Sequence, residues 1–354
     1  MRHQARIDAL ASRLEVPLLV TRSPNLRYLT GFAGGDGYLL VHPDGRSVFL
    51  TDGRYGELAE HLLEGMNGVS LEVFTGDSWK ALAGIMAGLA KVGLEAEGAT
   101  WEFARSVETK AGVVPVPTSG LVEDLRRTKD PEEAAALQAA GRAADAAFGG
   151  LASLVEVAVT ESDLAWSLVG EMRRHGGVPA GWDVIVAAGA GASIPHYETG
   201  PVPLGRGLLL VDFGCVVEGY HSDMSRTVWL EGEPDAELER VHRAVAEARQ
   251  AGVQAVRAGV RCCDVDEACR AVLRGYGYEE KFVHGTGHGV GLELHELPWL
   301  RRGIEELLKV GDAVTIEPGV YLPGVGGVRI EDAVLVGERG GLVLTESSRE
   351  MTLR

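Results

Sequence analysis

The chain's 354 residues are enough for two domains with a sizeable core. Its formal net charge of −17 argues against a nucleic-acid backbone or an anionic membrane surface as partner, and no apolar run nears the roughly 18 residues that span a bilayer. The four cysteines (Cys215, Cys262, Cys263 and Cys269) form no CxxC, zinc or disulfide spacing, which predicts reduced thiols in a cytoplasmic protein.

In chain order, the first part alternates short strands and helices. Ile7, Leu10, Ala11 and Leu14 recur at helical spacing without a continuous apolar stretch, a pattern unlike a signal peptide. Leu18–Val20 reads as a strand closed by the turn residues Ser23-Pro24-Asn25. Residues 38–41 and 47–51 flank His42-Pro43-Asp44-Gly45, a four-residue hairpin signal. Helical patterns follow at 55–63 and 79–89, with strands predicted at 69–74 and 113–116. This part holds no catalytic constellation, so its predicted work is to cover a site or contact a subunit.

Pro115, Pro117, Ser119 and Gly120 mark a break before the charged run EDLRRTKD, and the predicted domains are 1–122 and 123–354. Asp130-Pro131-Glu132-Glu133 is a strong helix start: an N-cap, a proline in the first turn and a glutamate three residues past the cap. That helix is expected to reach about residue 154. Thr160-Glu161-Ser162-Asp163 caps a second helix, which Gly176-Gly177 ends. A buried strand at 182–188 and helices at 234–257 and 264–275 follow. Walker A, GxGxxG and GxSxG motifs are all missing, which removes the commonest nucleotide and serine-hydrolase signatures.

The chemistry collects in the second domain. LLLVDFG carries Asp212 near the end of an apolar strand, a turn follows around Glu218-Gly219, and HSDMSRTVWL returns with Asp223. A hairpin centred near Val217 would set the two almost opposite, where like charges repel unless a cation intervenes or one carboxyl is protonated. Residues 284–296, HGTGHGVGLELHE, place His284, His288 and His295 among four glycines that permit close backbone approach. AVTIEPG ends on Glu317, and GGVRIEDAVLV carries Glu331; as one alternating strand it would put Arg329 and Glu331 on one face. One such carboxylate is most often an edge charge, but four of them beside a histidine-rich stretch make a poor fit to that reading. Four carboxylates carry about −4 and two divalent cations about +4, so with a neutral His288 a dinuclear site is close to neutral. One nitrogen and otherwise oxygen ligands point to Mn²⁺ first, with Co²⁺, Fe²⁺ or Zn²⁺ next.

Together DFG…D, HGTGHGVG…HE, EPG and RIED, preceded by RRTKDPEE, resemble the metallopeptidase family of methionine aminopeptidase, aminopeptidase P and prolidase. The resemblance covers about residues 121–354. It implies an α+β fold, with a C-terminal pita-bread catalytic domain preceded by a smaller α/β creatinase-like domain. YLTGFAGGDGYLLV is the best-matching stretch of that first domain. The family pattern implies two divalent ions on Asp212, Asp223, His288, Glu317 and Glu331. It implies that His295 stabilises the tetrahedral intermediate, that Glu317 shuttles a proton, and that His196, His284, Tyr321 and Arg329 help bind substrate. His196 in IPHY and Arg329 match the proline-specific branch; only GRG, ahead of the Asp212 strand where an acidic residue is more usual, departs from the pattern. Methionine aminopeptidases generally lack the first domain, and the FxGxxG continuation of YLTGF looks more like aminopeptidase P. The resemblance therefore implies an Xaa-Pro aminopeptidase acting on proline-containing peptides as a homodimer, with an Xaa-Pro dipeptidase (prolidase) as the alternative. A metal-free creatinase-like hydrolase would lack these carboxylates, and a non-catalytic binding protein on this fold would have lost ligands or His295.

Overall fold

Short apolar runs build a mixed six-stranded sheet in the first of two units, Met1–Arg126, of the computed structural model, which describes residues 2–353. The strand order is Val69–Phe74, Ser47–Asp52, Gly37–Val41, Leu18–Val20, Lys91–Glu95 and Val114–Thr118. Leu19, Leu40, Leu50, Val92 and Leu94 of the sheet pack against Leu82 and Met86. The predicted turn at Ser23-Pro24-Asn25 is instead the start of a helix, Ser23–Thr30. Proline lies in its first turn, where a missing N–H costs nothing, and Gly31 ends it at φ 80°. The helical patterns at 55–63 and 79–89 form Gly56–Leu63 and Ser78–Ile85, the latter started by the Asp77 carboxylate cap and ending earlier than predicted. Lys91–Glu95 and Trp101–Ser106 escaped the sequence reading, since neither is long enough to set up a period.

In the second unit, Arg127–Arg354, the Asp130 capping box starts the helix Pro131–Gly149. Gly149-Gly150 interrupts it, and Leu151–Val157 continues as a separate helix where a single one to residue 154 is predicted. A second box on Thr160 starts Glu161–Arg174. These helices cover an antiparallel sheet of Ile185–Ala188, Leu208–Phe213 and Met224–Trp229, burying Ala144, Leu164, Leu168, Leu209 and Val211. The first of these strands is shorter than the predicted 182–188. Ala236–Ala255 and Cys262–Tyr276 cover a second antiparallel sheet, ordered Glu296–Leu300, Gly287–Gly289, Ala313–Ile316, Asp332–Val336 and Gly341–Val343. Val245, Val265, Cys269, Val314 and Val334 fill that interface. Among the described residues no helix is long and apolar enough to cross a membrane.

Two register corrections bear on the site. The turn between the two aspartate strands falls at the expected Glu218-Gly219, both at positive φ (51° and 89°), but Val217 pairs with Tyr220, so the hairpin is not centred near Val217. Asp212 therefore faces Ser225, and Asp223 stands diagonally from it on the same face instead of opposite. Residues 326–336 are also not one strand. Gly326–Arg329 pairs with Gly319–Leu322 while Asp332–Val336 pairs with Ala313–Ile316, leaving Ile330 and Glu331 at the crossing. The crossing is pinned on one side by buried Asp332, which accepts from Arg226 (2.7 Å), Arg349 (2.8 Å) and Thr345 (2.8 Å).

Candidate metal centre

Asp212, Asp223, His288, Glu317 and Glu331 all line one cleft of about 390 Å³ in the second unit. Both sheets contribute. Asp212 lies within the strand Leu208–Phe213 and Asp223 just before Met224–Trp229, while Glu317 directly follows Ala313–Ile316. His288 sits in Gly287–Gly289, which lies so near the next strand that a Cβ on Gly287 would fall 1.9 Å from the Thr315 carbonyl oxygen. Only glycine lets the histidine strand reach that depth.

Asp223, His288 and Glu331 form a group able to hold a metal ion, each offering an atom within 4.8 Å of the others. His288 Nε2 lies 3.6 Å from Asp223 and 3.5 Å from Glu317. Its Nδ1 is 3.0 Å from the Gly289 carbonyl, which fixes Nδ1 as the protonated nitrogen and leaves the Nε2 lone pair among the carboxylates. Thr315 Oγ1 accepts the His288 N–H at 3.1 Å and donates to Glu317 at 3.4 Å. Ser225 Oγ donates to Glu331 at 2.7 Å and accepts from Arg329 Nε at 2.9 Å. Arg329 Nη2 then reaches Asp212 Oδ2 at 2.6 Å.

Burial and crowding set the protonation. Burial, then the Asp212 and Glu317 charges, push the Asp223 carboxyl well up. Glu331 is raised in the same way, by burial and then by Asp223. Burial takes Glu317 up to about 8, against the opposing pull of Arg329. His288 is pushed down to about 4 by burial and then by His295, so its ring is neutral at pH 7. Asp212 Oδ1 is buried with no hydrogen-bond partner. A neutral imidazole, raised carboxyls and an orphaned carboxylate oxygen are the donor set that a divalent cation satisfies.

The remaining predicted residues divide between the cleft wall and the layer behind it. His196, His284, His295 and Arg329 line the cleft, with His196 and His295 exposed. The His295 ring packs against His288 with centroids 4.2 Å apart, and burial lowers its pKa. Tyr321 is not on the wall. Its hydroxyl accepts from Arg329 Nη1 and meets His284 Nε2, both at 2.9 Å, while His284 Nδ1 is 2.8 Å from the Gly285 carbonyl. Sequence reasoning missed Ser225, Thr315, Trp182, Trp299 and Arg301. Ser225 follows Asp223 by two positions and Thr315 precedes Glu317 by two, so strand alternation would have found both. Trp182 and Arg301 lie outside every motif, and Trp299 lies three residues past the last residue of HGTGHGVGLELHE on the strand Glu296–Leu300.

Residues 135–338 match the family model of Metallopeptidase family M24, and residues 6–128 match that of the Creatinase/Prolidase N-terminal domain. The chain is 35% identical over 344 residues to an uncharacterized peptidase of Bacillus subtilis (strain 168), covering 95% of each chain. It superposes on the Xaa-Pro dipeptidase from Bacillus anthracis with a TM-score of 0.94 at 34% identity, over 99% of this chain and 100% of that one. Against the X-Pro aminopeptidase from Thermotoga maritima MSB8 the TM-score is 0.87 at 29% identity, over 96% and 97%.

Proposed function

The chain belongs to metallopeptidase family M24, with a creatinase-like first domain and a pita-bread second domain, and on that premise we propose that it is a metal-dependent Xaa-Pro dipeptidase. The observation that carries the dipeptide reading is the full-length likeness to an Xaa-Pro dipeptidase, higher in identity and TM-score than that to an X-Pro aminopeptidase. The aminopeptidase expected from YLTGF becomes the second reading, favoured by the latter likeness. Asp223, His288 and Glu331 would hold one divalent ion and Asp212 and Glu317 would complete a second, with Mn²⁺ the first choice for this oxygen-rich set. When bound, such ions supply Lewis acidity and an acidified water.

The chain's own residues supply the rest. An Xaa-Pro bond is a tertiary amide with no N–H, and its leaving group is a secondary amine that must gain a proton. By the family likeness, Glu317, at the metal end of the cleft, would carry that proton to the proline nitrogen. His295, exposed in the cleft beside His288, donates a hydrogen bond to the developing oxyanion. Burial keeps His284 neutral, and Arg329 through Tyr321 orients it as a wall of the proline subsite. His196, exposed on the same cleft wall, would help hold the substrate. Arg329 is buried and engaged with Asp212, Ser225 and Tyr321, so the free carboxylate of a dipeptide needs another cation. Arg301, exposed on the cleft wall with its guanidinium 5.5 Å from the Trp299 ring centroid, supplies it. The test is product analysis on matched Xaa-Pro, Xaa-Pro-Yaa and Xaa-Ala substrates with Mn²⁺. Cleavage confined to Xaa-Pro is expected. Cleavage of the tripeptide alone would restore the aminopeptidase, and equal cleavage of Xaa-Ala would end the proline reading.

A further inference from the structure

Lys129 of the RRTKD run has no place in the chemistry above, yet its side chain is 0% exposed. Its Nζ donates to Glu296 Oε1 at 2.5 Å and to the Arg127 carbonyl at 2.9 Å, and its backbone N–H donates to Gly311 at 2.8 Å. Glu296 is equally enclosed, with its side chain 6% exposed. Removing both ions from water offsets most of their attraction, so a buried pair is a poor stability device. What this pair holds is a turn. Glu296 folds its carboxylate back into residues 291–296, where Oε2 accepts the Glu293 N–H at 3.4 Å. The backbone closes on it so tightly that a Cβ on Gly291 would fall 2.3 Å from Oε1. The Gly291 carbonyl in turn accepts the His221 N–H at 2.9 Å and meets His221 Nδ1 at 3.0 Å.

His295 precedes Glu296 on this turn. Among the described residues no hydrogen bond holds its ring, which meets only the rings of His288 and Trp299. Its direction is therefore set by the backbone that carries it. We propose that Lys129 is a positioning residue for the reaction: by neutralising Glu296 inside the turn, it fixes the place from which His295 addresses the substrate carbonyl. The proposal rests on His295 as oxyanion donor and extends that reading to a residue 166 positions away in sequence. A displacement of about 1 Å at such a donor is enough to cost up to roughly 100-fold.

The test is a double-mutant cycle on the full-length, metal-loaded enzyme. Lys129→Met alone takes the cation away from a buried carboxylate and reports mainly on folding. The informative variant is the neutral pair Lys129→Met/Glu296→Gln, made in the parent and in His295→Ala. In the parent, kcat should fall about 10- to 100-fold, with KM, bound metal and Tm nearly unchanged. In His295→Ala the same pair should cost less than about threefold, because residues acting through one group are not additive. Glu296→Asp, which keeps the charge pair, should retain more activity than Glu296→Gln. Equal losses in both backgrounds, or no loss in the parent, overturn the role of Lys129. If His295→Ala itself keeps full turnover, the oxyanion reading falls and this proposal with it. A normal His295→Ala loss with multiplicative effects removes Lys129 alone.

Discussion

Stripping divalent metal should make this protein less stable as pH rises through neutrality, the reverse of ordinary acid denaturation. In the metal-free site, burial holds the Glu317 carboxyl up at about 8, and Asp223 and Glu331 are raised in the same direction. A raised acid keeps its proton in the folded state after the unfolded chain has released it. The folded state then binds more protons, and its stability falls as pH climbs towards the folded pKa. Histidines act oppositely: His284 and His288, both pushed down to about 4 by burial, lose stability as pH drops below their unfolded value near 6.5. From pH 6.5 to 8 each unfolded histidine releases its last half proton, a gain of about 0.4 kcal/mol apiece, and the three raised carboxyls together outweigh it. Across that range Glu317 alone contributes a loss of about 2 kcal/mol, at about 1.36 kcal/mol per unit. Its side chain is 19% exposed, so solvent trims that figure, while Asp223 and Glu331 add to it. Urea midpoints in chelator should fall from pH 6.5 to 8. With saturating Mn²⁺ ligation ionises the carboxyls, the slope should flatten, and binding should release protons measurable by calorimetry in two buffers. Chelated protein that is equally or more stable at pH 8 would refute the reasoning.

Three further outcomes are expected. His288→Ala should lower bound metal as well as rate, whereas His295→Ala should keep its metal and lose roughly 10²–10³ in kcat, as read by metal analysis beside steady-state kinetics. Arg301→Ala should raise KM for an Xaa-Pro dipeptide about tenfold or more and leave the corresponding Xaa-Pro amide nearly unchanged, since an exposed charged hydrogen bond is worth about 1.5 kcal/mol. Gly287→Ala should destabilise by at least about 1–3 kcal/mol in urea unfolding, because its Cβ would meet the Thr315 backbone and not a movable side chain.

What the sequence determined by itself was the chemistry and much of the local structure. A carboxylate within or at the end of an apolar strand, as at Asp212 and Glu317, demands compensation wherever that strand is buried, so the candidate cluster was legible before any fold was known. The capping boxes at Asp130 and Thr160 were legible too, because they are closed by residues three apart. Features that depend on a turn or on a distant partner were not. The register closed by the Glu218-Gly219 turn pairs Val217 with Tyr220 and makes Asp212 and Asp223 diagonal neighbours, and the crossing at Ile330 and Glu331 divided what alternation read as one strand. Gly287 was readable as a glycine that permits close approach, but only the packed sheet identifies what it approaches. The bond from Arg329 to Asp212 and the pairing of Lys129 with Glu296 join residues 117 and 167 positions apart. No local propensity encodes such pairs. They exist because the two sheets, once their apolar faces are buried, bring those side chains together where each buried charge must find a partner.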